Sequence, residues 1–393
     1  MKNSTEPEFS FVRGPFYRYQ QRLGLIPGDG RLGIRRRALF YLLVGWLPVV
    51  IAAALSGRLF MQEGSLHEPL LAHFGVHVRC LVAIPCFLLA EMLMDQRTRL
   101  LLPEFKATGI IAEPQQEAYE EVLRRTLAWR NSKLSLCCVL AASLICLLLV
   151  GFQPQELDEI SWTRDGGPFL SFSGWYYLIV TRFLFVSFAA VWAFRWVLSC
   201  VLFLRLSRLP LKLVPTHPDR SGGLGFLEMA TVTLAPVLFG LSAVIAARWT
   251  HEILYHGLAL DSLYFTMGLL VGLLVLGALI PMVAFVPPLV LLKRHGLLHY
   301  GALAARHGRL VQRRWLHAEE ISPQEERLLQ AQELGPVADV VSLFEAVERI
   351  RIVPLSRLSI LPLAVAAALP MLVVIGTRIP LKEMFLEIIK ALL

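Results

Sequence analysis

Seven apolar runs, each close to or beyond the length of a bilayer crossing, recur along the chain with polar, mostly basic stretches between them. They cover Ala38–Ser56, Leu71–Met94, Leu134–Phe152, Trp175–Leu204, Phe226–Ala247, Ser262–Leu292 and Leu358–Thr377. A helix rises about 1.5 Å per residue, so roughly 20 residues cross a hydrocarbon core about 30 Å thick. Helices satisfy every backbone group internally, which a lipid environment demands. The pattern therefore predicts an all-α polytopic membrane helical bundle of about seven transmembrane helices. Residues 1–37 form a basic N-terminal segment, 38–377 the transmembrane domain, and 378–393 an amphipathic C-terminal helix.

Three runs depart from a plain crossing. The fourth holds about 30 residues, roughly 45 Å of helix, so it must tilt or project from the membrane. Pro236 predicts a kink in the fifth. In the sixth, Gly268 and Gly272 have the GxxxG spacing that lets helices approach closely. Gly277 follows, and Pro281, Pro287 and Pro288 then bend or break the inner half. Two intervening stretches are helical themselves. Residues 95–133 contain QQEAYEEVLRRTLAW after Pro114, with acids before bases along the dipole. Residues 293–357 read as a helical hairpin, without a P-loop or HExxH motif.

Composition supports the bilayer: 56% of the residues are hydrophobic and only 17% charged, against about a quarter charged in soluble domains. The net charge of +8 alone would admit nucleic acid as a partner, but its distribution argues otherwise. Of the 38 Lys and Arg, 29 fall in residues 1–37, 95–133, 205–224 and 293–357. All four segments lie on one side of a seven-span topology, as the positive-inside rule requires of cytoplasmic segments. The expected partner is thus a lipid bilayer and not nucleic acid, with the N-terminus cytoplasmic and the C-terminus periplasmic. Residues 1–37 interleave arginines with aromatics and have no early apolar core, so they are expected on the cytoplasmic headgroup surface and not as a cleaved signal. The six cysteines all sit within apolar runs, which predicts neither disulfides nor a zinc knuckle.

Candidate chemistry is sparse. The most polar conspicuous stretch is THPDRSGGLGFL at 216–227. Gly222, Gly223 and Gly225 permit positive φ, and free N–H groups at the start of the next helix with Arg220 beside them would accept an anion or a phosphate-bearing ligand. His217 and Asp219 add a titratable pair. The alternative is a tight turn joining two long helices, Arg220 pairing with Asp219 or Glu228. Intramembrane charge is the second signal: Arg79, Arg182 and Arg195, with Glu91 and Glu228 as acids. Such charges are costly and functional by default. Arg182 and Arg195 are about 220° apart around a helix, so one can face a pore while the other pairs with Glu91 or Glu228. Third, His73 and His77 share a helical face with Cys80, a chelating spacing, although an interfacial helix end uses the same residues.

The HPDRSGGLGF run, and more loosely the order of spans and the IPLKE tail, resembles a family of bacterial multi-pass inner-membrane proteins with an HPDxxGGLGF-like cytoplasmic loop. The resemblance implies a bacterial inner membrane and brings no activity with it. On the residues alone, an arginine-rich interior favours an ion channel or transporter, anion-selective and homo-oligomeric, with the glycine loop as cytoplasmic gate or ligand site. No cofactor is called for. No spacing assembles a nucleophile–base pair or a three-ligand metal site, so a membrane-embedded lipid-modifying or metal-dependent enzyme is the alternative. A sensor or scaffold acting through its cytoplasmic helices is the third reading.

Overall fold

A computed structural model describes residues 9–27, 32–60, 69–151, 171–317, 320–330 and 337–377. They form an all-α bundle with no strand among the described residues. Its helices are α1 (Pro15–Arg22), α2 (Ile34–Leu55), α3 (Phe74–Ala107), α4 (Gln116–Asn131), α5 (Lys133–Gly151), α6 (Phe172–Ser207), α7 (Gly225–Tyr255), α8 (Leu260–Val283), α9 (Val286–Val311), α10 (Pro323–Gln330), α11 (Val337–Glu348) and α12 (Arg357–Gly376). Six of them, α2, α3, α6, α7, α8 and α12, are long and apolar enough to cross a membrane. A seventh span arises if α4 and α5, bent by 51° at Ser132, count as one.

Prolines and wide turns set the breaks. α2 bends at Trp46 because Pro48 lies in the first turn of its second half. α7 is interrupted at Thr233 and Leu234, just before Pro236. The expected sixth run is two helices, since α8 ends at Val283 and α9 starts with Pro287 and Pro288 in its first turns. π-helical turns interrupt α3 at Arg79–Ala83 and α6 at Tyr177–Arg182. Such turns occur mostly as single bulges inside long helices, frequently at functional sites.

The core follows from these helices. α7 packs along α12 and α3, α6 lies against α4, α5 and α8, and α2 leans on α3. A Cβ at Gly240 would meet the Ala83 Cα at 3.2 Å, so α7 and α3 touch backbone to backbone there. Gly268, Gly272 and Gly277 of α8 instead face open space. α9 and α11 form the expected hairpin, Gly296 accommodating Val347. The expected amphipathic C-terminal helix at 378–393 lies outside the described residues.

The N-terminal segment departs from expectation. Residues 9–27 are folded into the bundle and do not lie on its surface: Ser10, Phe11, Val12, Tyr17, Gln20 and Ile26 are all buried. They share the main core with Phe87, Phe188, Leu202 and Phe285. Phe11 and Val12 bury their side chains, while Arg13 stays half-buried within 3.5 Å of Asp95 and Arg18 and Arg22 remain exposed.

Candidate functional site

Three helices place charge at one point. Arg37 lies in the first turn of α2, Glu91 roughly 26 Å along α3 and Arg195 roughly 35 Å along α6. Arg37 Nη2 approaches Glu91 Oε2 at 2.5 Å, and Arg195 Nη1 donates to Glu91 Oε1 at 2.7 Å. All three side chains are at most 4% exposed. One carboxylate thus serves two guanidinium groups in a dry environment. Arg195 also stacks on Trp192, 5.2 Å from the ring centroid. The Nε and Nη1 of Arg37 and the indole Nε1 of Trp192 are buried donors with no acceptor among the described residues. Such donors ordinarily find partners.

One turn further along α3, Asp95 forms a second node. It accepts from Ser10 Oγ at 2.5 Å and from Arg99 Nη2 at 2.8 Å, with Arg13 Nη2 at 3.5 Å. Arg130, at the end of α4, donates through Nη1 to the Ser10 carbonyl. The strap formed by residues 9–16 is therefore pinned from both sides at Ser10. Beneath it lies a cavity of about 40 Å³, walled by Phe11, Val12, Arg130, Ser135, Val191 and Arg195. Phe11 also closes a second cavity of about 40 Å³, lined by Met94, Trp196, Phe203, Thr231 and Met282 among others. Each exceeds the roughly 10–15 Å³ that a single water needs. Phe11 thus lines both.

The glycine loop is built around an internal carboxylate. Asp219 accepts N–H bonds from Ser221 at 2.8 Å, Gly223 at 3.1 Å and Gly225 at 2.7 Å, and His217 Nδ1 stands 2.8 Å from it. The N–H groups expected to receive an outside anion are held by the loop's own side chain. Burial disfavours the Asp219 charge, but these bonds outweigh it and hold the carboxyl below the usual aspartate range. The backbone shape is enforced locally. Gly222 and Gly223 have φ of 65° and 100°, and a Cβ at Gly225 would come within 2.9 Å of Asp219. Arg220, itself at φ 57°, points into solvent, while its carbonyl accepts the Arg351 N–H at 2.7 Å. Glu228 pairs with neither Arg220 nor Arg195. It accepts from Ser356 Oγ at 2.7 Å and faces Arg351 at 3.5 Å, tying the loop's end to the start of α12.

The other expected site residues lie elsewhere. Arg79 and Arg182 are buried in the two π turns, near the other end of the spans. Arg79 donates to the Tyr177 hydroxyl and lies over Phe185. His73 and His77 do not converge. His77 accepts from Trp46 Nε1 at 2.9 Å and contacts the Leu70 carbonyl through its other nitrogen, whereas the His73 ring lies against His251 at 4.8 Å. Among the described residues no group of three or more His, Cys, Asp or Glu is arranged to hold a metal ion.

Of the residues singled out from sequence, the structure joins Glu91 to Arg195. It adds Arg37, Asp95, Arg130 and Ser10, which sequence reading did not single out. Glu91 and Asp95 are four residues apart, on one face of a helix, and that spacing was the available signal. Comparison with protein-family models, curated proteins and solved structures finds no match to the chain.

Proposed function

We propose that this chain is an integral membrane channel or transporter for small inorganic anions. Its working site is the cavity under the strap, with Arg195 and Arg130 as the anion-facing residues. The observation that carries the reading is this: two buried guanidinium groups line one small cavity, while the only acid of the inner cluster, Glu91, is shared between Arg195 and Arg37. In a low-dielectric interior such an excess of positive charge strongly favours a small anion and excludes cations. The Ser10 carbonyl on Arg130 occupies the place that an anion would take. Withdrawal of the strap would free Arg130 and join the two cavities that Phe11 separates.

In this reading the protein sits in a bacterial inner membrane with its N-terminus and arginine centre on the cytoplasmic side. It assembles as a homo-oligomer through the open glycine face of α8. The experiment is anion efflux from proteoliposomes loaded with chloride or nitrate. Arg195→Met lowers flux at least tenfold, because it removes the guanidinium common to the cavity and to Glu91. Flux unchanged by that substitution would contradict the proposal.

A further inference from the structure

At Asp95 the surface opens into a groove of about 720 Å³ between Pro27 and Leu32, the start of α2 and the second half of α3. Its walls include Gly33, Arg35, Arg36, Met92, Gln96 and Arg99, with Asp95 on its floor. On α2, Leu39 and Leu43 are 56% and 46% exposed, and Arg35 and Arg36 are exposed one turn before Leu39 on the same face. On α3, Leu89 is 41% exposed, Met92 half-buried and Gln96 exposed one turn on, with Arg99 half-buried; Leu100, 61% exposed, makes the Leu89 face apolar again three turns on. The change from an outward apolar face to a basic one is therefore carried by α2, and α3 adds Leu89 and Met92 to its apolar strip. Basic residues at the end of an apolar span favour the border of the hydrocarbon core.

We propose that this groove binds the phosphate headgroup of an anionic phospholipid, with an acyl chain along Leu39, Leu43 and Leu89. Arg35 and Arg36 face the phosphate as donors, while Arg99 is held on Asp95. Asp95 does not repel it, because Arg13, Arg99 and Ser10 already neutralise and hydrogen-bond that carboxylate. A soluble phosphate compound would need only the arginines. The apolar strip leading out of the groove on both helices is what commits the site to a lipid. The site stands apart from conduction, and its test reads lipid binding, so failure of one reading does not entail failure of the other.

The test uses the full-length protein in nanodiscs, comparing phosphatidylglycerol with phosphatidylcholine by native mass spectrometry and thermal denaturation. The wild type retains phosphatidylglycerol preferentially and melts at a higher temperature in its presence. Each basic residue near a headgroup is worth about a fivefold factor in binding. The double variant Arg35→Gln, Arg36→Gln therefore loses about thirtyfold of that preference. Both side chains are exposed, so the variant keeps the wild-type melting temperature in phosphatidylcholine. The control Arg124→Gln, Arg125→Gln, an exposed pair on α4, leaves the preference intact. Equal retention by wild type and the Arg35/Arg36 variant overturns the site. So does equal stabilisation by inorganic phosphate in phosphatidylcholine discs, which would make it a site for free anions.

Discussion

Replacing Glu91 by glutamine removes the one negative charge between Arg37 and Arg195 while nearly preserving its volume. Its contacts at 2.5 and 2.7 Å are lost as ion pairs, and the new amide N–H₂ faces one guanidinium donor with a donor of its own. Opposite charges about 4 Å apart attract by roughly 4 kcal/mol at an effective dielectric of 20, so two pairs represent roughly 8 kcal/mol of gross attraction. Much of that offsets the cost of keeping three charges out of water. Removing one partner of a buried pair typically destabilises by about 3–5 kcal/mol, because the charges left behind are uncompensated. Glu91→Gln should therefore unfold about 3–5 kcal/mol more easily in a denaturant titration in mild detergent. Adding Arg37→Met should recover more than half of the loss, since the remaining Arg195 retains Trp192 and the glutamine carbonyl as partners. Residues acting as one unit are non-additive in this way. A Glu91→Gln loss below about 1 kcal/mol, or a double variant equal to the sum of the singles, would refute the idea of a single charge-balanced unit.

Other outcomes follow from the same structure. Phe11→Ala should cost about 3 kcal/mol as a buried aromatic truncation and should also raise anion flux, measured in the same proteoliposomes; a stability loss without added flux would separate packing from gating. Asp219→Ala strips the acceptor from three loop N–H groups and should cost about 1–3 kcal/mol, with faster amide exchange at Ser221, Gly223 and Gly225. Because the folded Asp219 carboxyl lies below its ordinary value, its contribution is fully present above about pH 4 and fades as pH falls through the folded value; Asp219→Asn should flatten that acid limb of the stability profile. Gly240→Val should destabilise by about 1–3 kcal/mol through overpacking against Ala83, whereas Gly272→Leu should leave the monomer's stability unchanged and weaken self-association in cross-linking.

How much of this was legible in the sequence depended on the scale of the signal. Runs of twenty apolar residues announce spans because the bilayer imposes that length, and the breaks at Pro236 and Pro287 obey local sterics, as does the one at Pro48 that the sequence reading did not single out. Glu91 and Arg195 could be named as partners because few acids exist inside the apolar runs. Arg37 was concealed by its neighbours. In Arg35–Arg36–Arg37 successive residues point about 100° apart, so three arginines that read as one headgroup anchor serve different roles, and only the packing of α2 on α3 shows which one turns inward. The strap was misplaced for a related reason. Its arginines suggested a surface, but its burial depends on Asp95 and Arg130, which are about 85 and 120 residues away, and no local pattern carries such contacts. In the glycine loop the run Asp219-x-Ser-Gly-Gly-x-Gly placed an acceptor just ahead of the N–H groups it satisfies. An Asx-type reading of that spacing would have found the internal anion.

Anion selectivity at the cavity under the strap is tested most directly by the reversal potential of the reconstituted protein in a planar bilayer under a chloride gradient. The wild type, and more strongly Phe11→Ala, should carry current that reverses close to the chloride equilibrium potential, with Arg195→Met nearly silent. Current reversing toward the cation equilibrium potential, or no current from either the wild type or Phe11→Ala, would contradict it.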